Sequence, residues 1–161
     1  MGNRAVITTE DMDLGLYLHW DGDRVPVDGF LAYSKAMKYS PPEDDDYGWA
    51  RLTQTIMNCK DLMVVCQIVS NWFGPNGTSV GLNKYSELDT DNKDNGVYVI
   101  SNWKIVKRAY NSDKEEELTS EEDLIEVMKE IRDKQPEHSQ LTDEQIKIVA
   151  ENYLALYKTE E

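Results

Sequence analysis

Histidine and cysteine are scarce: two of each in 161 residues. Neither His19 nor His138 has a second His or Cys three or four residues away, so no transition-metal ligand spacing is present. Nothing in the spacing pairs either histidine with a nucleophilic Ser or Cys, and both cysteines sit on an apolar stripe, so no catalytic residues are expected and no enzyme is predicted. Cys59 and Cys66 share a helical face two turns apart, about 10 Å along the axis, which is too far for a disulfide and suits a reducing compartment. Long apolar runs are missing too, and this predicts neither signal peptide nor membrane span, hence a cytosolic protein. The opening Met1-Gly2-Asn3-Arg4-Ala5-Val6 lacks the Ser or Thr of a myristoylation signal. Gly74-Pro75-Asn76-Gly77 lacks the Lys and Ser/Thr of a phosphate loop. Bases are few, 17 against 31 acids, with no cluster beyond Lys104, Lys107 and Arg108. A surface of that kind repels nucleic acid and membranes, and no direct contact with either is expected.

What is abundant is carboxylate. The net charge is -14, and residues 111–161 carry 16 acids and 6 bases. The acidity therefore belongs mainly to the C-terminal third, where it serves solubility or attracts a basic protein groove. The length suits one domain, 1–110, with an acidic helical extension, 111–161, and can bury about 70% of the unfolded surface without disulfide or metal.

The longest periodic stretch runs from Tyr47 to Phe73. Trp49, Leu52, Ile56, Cys59, Met63 and Cys66 recur at one-face helical spacing behind Pro41-Pro42 and the acids Glu43 to Asp46, with Asp46 as the expected N-cap. This reads as a central helix of roughly 37 Å at 1.5 Å per residue. Ahead of it, Asn3 to Thr9 is β-prone and Leu14, Leu16, Leu18 and Trp20 alternate with Gly15, Tyr17 and His19, predicting a hairpin closed by Thr9 to Asp13. Pro26 marks the first position of a short helix through Val27, Phe30, Leu31, Ser34 and Met37. Thr78 to Leu82, Val97 to Ser101 and Trp103 to Lys107 read as strands, and Asn95-Gly96 has the preference of a type I′ turn. Ser120 or Thr119 caps a helix with the stripe Leu124, Ile125, Met128 and Ile131. Thr142 and Gln145 form a capping box, and Leu141 with Ile146 a staple, for a last helix to about Lys158. The expected fold is α+β: a small, mostly antiparallel sheet of four or five strands on a long central helix, plus a C-terminal α-hairpin that docks on the core or stands as a separate arm.

Asp89 to Gly96 is the richest oxygen cluster, but neither register fits a calcium loop. Starting at Asp91 puts Lys93 third and Asn102 twelfth, and starting at Asp89 puts Lys93 fifth. An Asx-rich turn is the better reading, with no metal and no cofactor expected. Tyr17, His19, Trp20 and Trp103 could share the sheet as a stacking platform, yet no basic groove accompanies them, and core or interface packing is the default for these rings.

Several strings resemble a family of small proteins encoded by phages and prophages of Gram-positive bacteria: Asn3 to Thr8, Gly15 to Trp20, Tyr47 to Leu52, Ser79 to Gly81, Asp94 to Tyr98 and Trp103 to Val106. The resemblance covers about two-thirds of the chain and brings no catalytic residues with it. It departs in a longer segment between Leu52 and Ser79 and in the acidic tail. It implies expression in an infected bacterial cell, where small acidic proteins often occupy a host protein, including as inhibitors of CRISPR effectors and other defence nucleases. The expected partner is then a host nuclease or other nucleic-acid-binding complex, met through Glu115, Glu116, Glu117, Glu121, Glu122 and Asp123, with Asp89, Asp91 and Asp94. The alternatives are a homodimeric structural or regulatory module built on the C-terminal helices, and a metal or enzymatic protein using the Asp89–Asp94 loop.

Overall fold

A computed structural model describes residues 2–59, 80–111 and 116–158. Five strands form one sheet: β1 (Ala5–Thr9), β2 (Leu14–Leu18), β3 (Val80–Lys84), β4 (Val97–Ser101) and β5 (Lys104–Ala109), in the order β3-β2-β1-β4-β5. The predicted β1/β2 hairpin is present, with Ile7 opposite Leu16. The sheet is mixed, not purely antiparallel: three of its four pairings are antiparallel, but the central strand β1 runs parallel to β4, with Ile7 beside Tyr98. A parallel pair needs a long crossover, here everything from residue 10 to 96, and local sequence patterns carry no sign of such a pairing.

The α elements are α1 (Arg24–Ala36), α2 (Tyr47–Asn58), α3 (Glu121–Asp133) and α4 (Asp143–Lys158). No long central helix is clear: α2 closes with Cys59 as its C-cap, and the rest of the expected rod, through Phe73, lies outside the described residues. The central helix is instead α1, which packs against α2, α3 and α4 and meets β5. Its residues Val27 to Ser34 are all buried: Ser34 lies on the stripe read from the sequence, but Asp28 and Gly29 do not, and a hydropathy reading misses their burial. Gly29 permits the α1–α3 crossing, since a Cβ there would stand 2.8 Å from Val127 and 2.9 Å from Ile131. Pro26 is the third residue of α1, not the first, still within the turn whose N–H groups have no helical acceptor. Asp46 is not a side-chain cap; the carboxylate of Asp45 takes that place, accepting from Tyr47 N–H at 3.0 Å.

The C-terminal helices dock on the core. Leu124, Met128, Ile131, Ile146, Ala150 and Tyr153 join Ile7, Leu16, Leu31, Leu52 and Ile100 in one buried cluster. Fully burying side chains of this size contributes about 1.5–3 kcal/mol each. Both expected caps form: Ser120 Oγ accepts from Asp123 N–H, and Thr142 and Gln145 bond each other's backbone N–H. On the other face of the sheet Val6, Val97 and Val99 form a second, smaller cluster under Tyr85 and Leu88 of the β3–β4 connection.

The I′-like turn falls at Asn102 and Trp103, with φ of 51° and 65°, and not at Asn95-Gly96, where only Gly96 has positive φ. A tryptophan tolerates this backbone because its surroundings hold it. Its Nε1–H donates to Tyr39 O at 2.8 Å, and its own carbonyl accepts from Tyr153 O–H at 2.8 Å. Trp103 is thus buried and remote from the Tyr17, His19 and Trp20 group, which does stack edge to face. At the β5 edge, the outward N–H of Ile105 donates to Tyr157 Oη at 3.0 Å, and Lys104 Nζ to Leu156 O at 3.1 Å.

Candidate functional site

The strand directions define two ends of the sheet. At the end where β1 and β4 start, the 89–96 loop and the segment leading into α3 come together, joined by Arg108. Its Nη2 donates to Asn95 O and its Nη1 to the carboxylate of Glu116. The two groups of expected contact residues therefore do share one end of the molecule. They differ in what they are free to do.

Glu116 is internally committed. Its Oε2 accepts from Arg24 Nη1 at 2.8 Å, and its Oε1 from Arg108. Burial pushes its carboxyl up, but the hydrogen bond and charge of Arg108, with those of Arg24, outweigh this and leave it below the ordinary glutamate value. Asp94 is likewise engaged, accepting from Arg4 Nε at 2.7 Å and Arg4 N–H at 3.1 Å, which hold its carboxyl below the usual range. Asp89 stands 3.8 Å from Arg4, and Asp91 3.1 Å from Lys93. Glu117, Glu121, Glu122 and Asp123 are exposed and make no ion pair among the described residues. The last three occupy the first turn of α3, where carboxylates favour the helix dipole by about 0.3–1 kcal/mol each. Glu115 lies outside the described residues.

The 89–96 loop is organised by an amide. Asn92, 1% exposed, accepts from the N–H groups of Asp94 and Gly96 and donates to the carbonyls of Asp89 and Gly96. This is the Asx-turn chemistry that the composition implied. Among the described residues no group of three His, Cys, Asp or Glu side chains is placed to hold a metal ion.

Beneath Glu116 lies a buried polar network that no sequence pattern announced. Asp28, its side chain 1% exposed, accepts from Arg24 Nε at 2.9 Å and Thr119 Oγ1 at 2.7 Å, with Tyr157 Oη at 3.5 Å. Burial raises the Asp28 carboxyl above its ordinary value against the opposing pull of Arg24. Burial also pushes the Tyr98 and Tyr153 hydroxyls up. An Arg–Asp pair at helical i, i+4 spacing is a signal, but its usual meaning is a surface pair.

The opposite end carries a second gathering of acid. Asp11, Asp13, Glu43 and Asp46 line a recess of about 90 Å³ with Thr9, Leu14, Pro42 and Trp49. Asp11 accepts from Thr9 Oγ1 at 2.6 Å, and Glu43 from Asn102 N–H at 2.7 Å. In the sequence Glu43 and Asp46 read only as a helix start, and nothing linked them to Asp11.

His19 Nδ1 lies 2.9 Å from Tyr17 Oη, and Cys59 Sγ donates to Thr55 O at 3.3 Å. No helix among the described residues is long and apolar enough to cross a membrane. Comparison of the chain with protein-family models, curated proteins and solved structures returned no match, so function must be read from this chemistry alone.

Proposed function

We propose that the protein is a binding protein that inhibits a host nucleic-acid-processing defence complex, a nuclease above all, by laying an acidic face on its basic groove. The observation that carries this reading is the set Glu117, Glu121, Glu122 and Asp123, exposed and without ion pairs among the described residues, beside the more exposed carboxylates Asp89 and Asp91. A groove that neutralises one phosphate charge per ~1.7 Å of duplex also accepts a rigid row of carboxylates. Glu116 and Asp94 act in support, by fixing the backbone from which that row projects. The apolar stripes of α3 and α4 pack on the protein's own core, which favours an acidic rather than an apolar contact face.

Affinity capture from host lysate tests the reading. Wild-type protein is expected to retain a nuclease or other nucleic-acid-binding protein, less of it as salt rises, and the triple variant Glu117→Lys, Glu121→Lys, Glu122→Lys to lose it. Reversals at the other end, Asp44→Lys with Asp46→Lys, should leave capture intact. Recovery of no such protein at low and moderate salt alike, or equal capture by all variants, defeats the proposal.

A further inference from the structure

Glu116 is held differently from every other charged group around it. Arg24 is fixed without it, by the 2.9 Å bond from Nε to Asp28 and by the Tyr157 ring 5.2 Å from its Cζ. Arg108 is also fixed without it, by bonds from Nε to Val97 O at 3.1 Å and from Nη2 to Asn95 O, and by the Tyr98 ring 3.7 Å beneath its Cζ. Asp28 is locked in place by Arg24 and Thr119. Each guanidinium nevertheless keeps one Nη1 aimed at a common point, where the two oxygens of Glu116 sit. Among the described residues the side-chain bonds of Glu116 run to these two arginines, and its side chain is 27% exposed while both arginines are 12% exposed.

We propose that Arg24 and Arg108 form an oxyanion receptor, filled in the free protein by the chain's own Glu116 carboxylate and open to a carboxylate or phosphate group of a ligand in its place. Two converging guanidinium forks match the oxygens of either group, and burial strengthens such charge-assisted bonds. Because the anchors of both arginines are independent of Glu116, the receptor keeps its geometry when the carboxylate leaves. A carboxylate ligand replaces like with like, so the cluster of Arg24, Arg108, Asp28 and the bound anion stays neutral. A phosphate dianion adds charge close to Asp28 and Glu117, so the two sources differ in strength and can be told apart. The tethered Glu116 competes at an effective concentration on the order of millimolar. Ligand binding by wild-type protein is correspondingly weakened. This receptor does not depend on the acidic-face reading.

The test is thermal unfolding of wild type, Glu116→Ala and Glu116→Ala with Arg108→Lys in sodium chloride, sodium acetate and sodium phosphate at matched ionic strength. Glu116→Ala is expected to gain a saturable rise in Tm with acetate or phosphate over chloride, and the more effective anion assigns the ligand class. Wild type should need at least tenfold more anion for the same rise. Arg108→Lys keeps the charge but loses the fork, and should abolish the response. Glu116→Gln, which keeps the side-chain volume, is the second variant should the alanine protein fail to fold. Equal Tm in all three salts for both Glu116 variants overturns the proposal. So does a response that survives Arg108→Lys, since that is general salting rather than a receptor.

Discussion

Breaking the Arg24–Asp28 pair one partner at a time tests the least expected part of the interior. The two side chains are 12% and 1% exposed and 2.9 Å apart. Asp28→Ala leaves the Arg24 guanidinium with Glu116 as its remaining anion, and leaves the Thr119 hydroxyl without its acceptor. Removing one partner of a buried pair costs about 3–5 kcal/mol. In a chain of this size each kcal/mol lowers Tm by about 2–4 °C, so the fall should be roughly 6–20 °C. Arg24→Met should cost as much, because it strands the more deeply buried Asp28. The double variant Arg24→Met with Asp28→Leu removes both charges and fills the space with apolar atoms, so it should lose much less than the two single losses combined. Urea unfolding of wild type, Arg24→Met, Asp28→Leu and the double variant closes the cycle and gives the coupling energy. Single losses under 1 kcal/mol, or a double loss equal to their total, would refute the idea that this pair is desolvated and interdependent.

Three further outcomes follow from the same packing. Met128→Ala, at a fully buried α3 position, should cost about 2–5 kcal/mol in one cooperative transition; an early, separate melting of the C-terminal helices would mean they do not share the core. Gly96→Ala puts a Cβ 2.2 Å from Ala109 O at a φ of 65°, so it should cost more than the ~1 kcal/mol typical of backbone strain alone, and an unchanged urea midpoint would contradict the turn. His19 should titrate below 6.5 by NMR, because burial and then the Arg4 charge disfavour its cation. The unfolded chain then takes up the proton first, so the stability His19 contributes is full above pH 6.5 and fades as pH falls through 6.5 towards the folded value. Replacement by Asn should flatten that decline; a midpoint at 6.5 would remove the effect and one above 6.5 would reverse its sign.

What the sequence made legible was local. The β1/β2 hairpin, the Ser120 cap and the Thr142–Gln145 box each depend on residues within a few positions of one another, and each is present. The parallel pairing of β1 with β4 was hidden because it joins segments about 90 residues apart. The role of α1 was hidden because its buried residues include Asp28 and Gly29, which a hydropathy pattern counts as surface. The candidate site was half visible. Neighbours in an acidic run look equivalent on paper, yet Glu116 turns inward to arginines from positions 24 and 108 while Glu117 faces water. Only the fold decides which member of such a run remains available.

The hydroxyl that Tyr157 lends to Ile105 reaches beyond local bonding. A sheet's last strand is a template on which foreign β-segments can crystallise, and β5 is rich in residues that would not repel an acidic one: Lys104, Lys107 and Arg108. With one amide already claimed by a phenol and Lys104 tethered across the gap, an incoming chain finds its first rung missing. The last turn of α4 thereby covers part of this edge, and cutting the chain ahead of Leu156 should leave β5 more open to pairing with another strand.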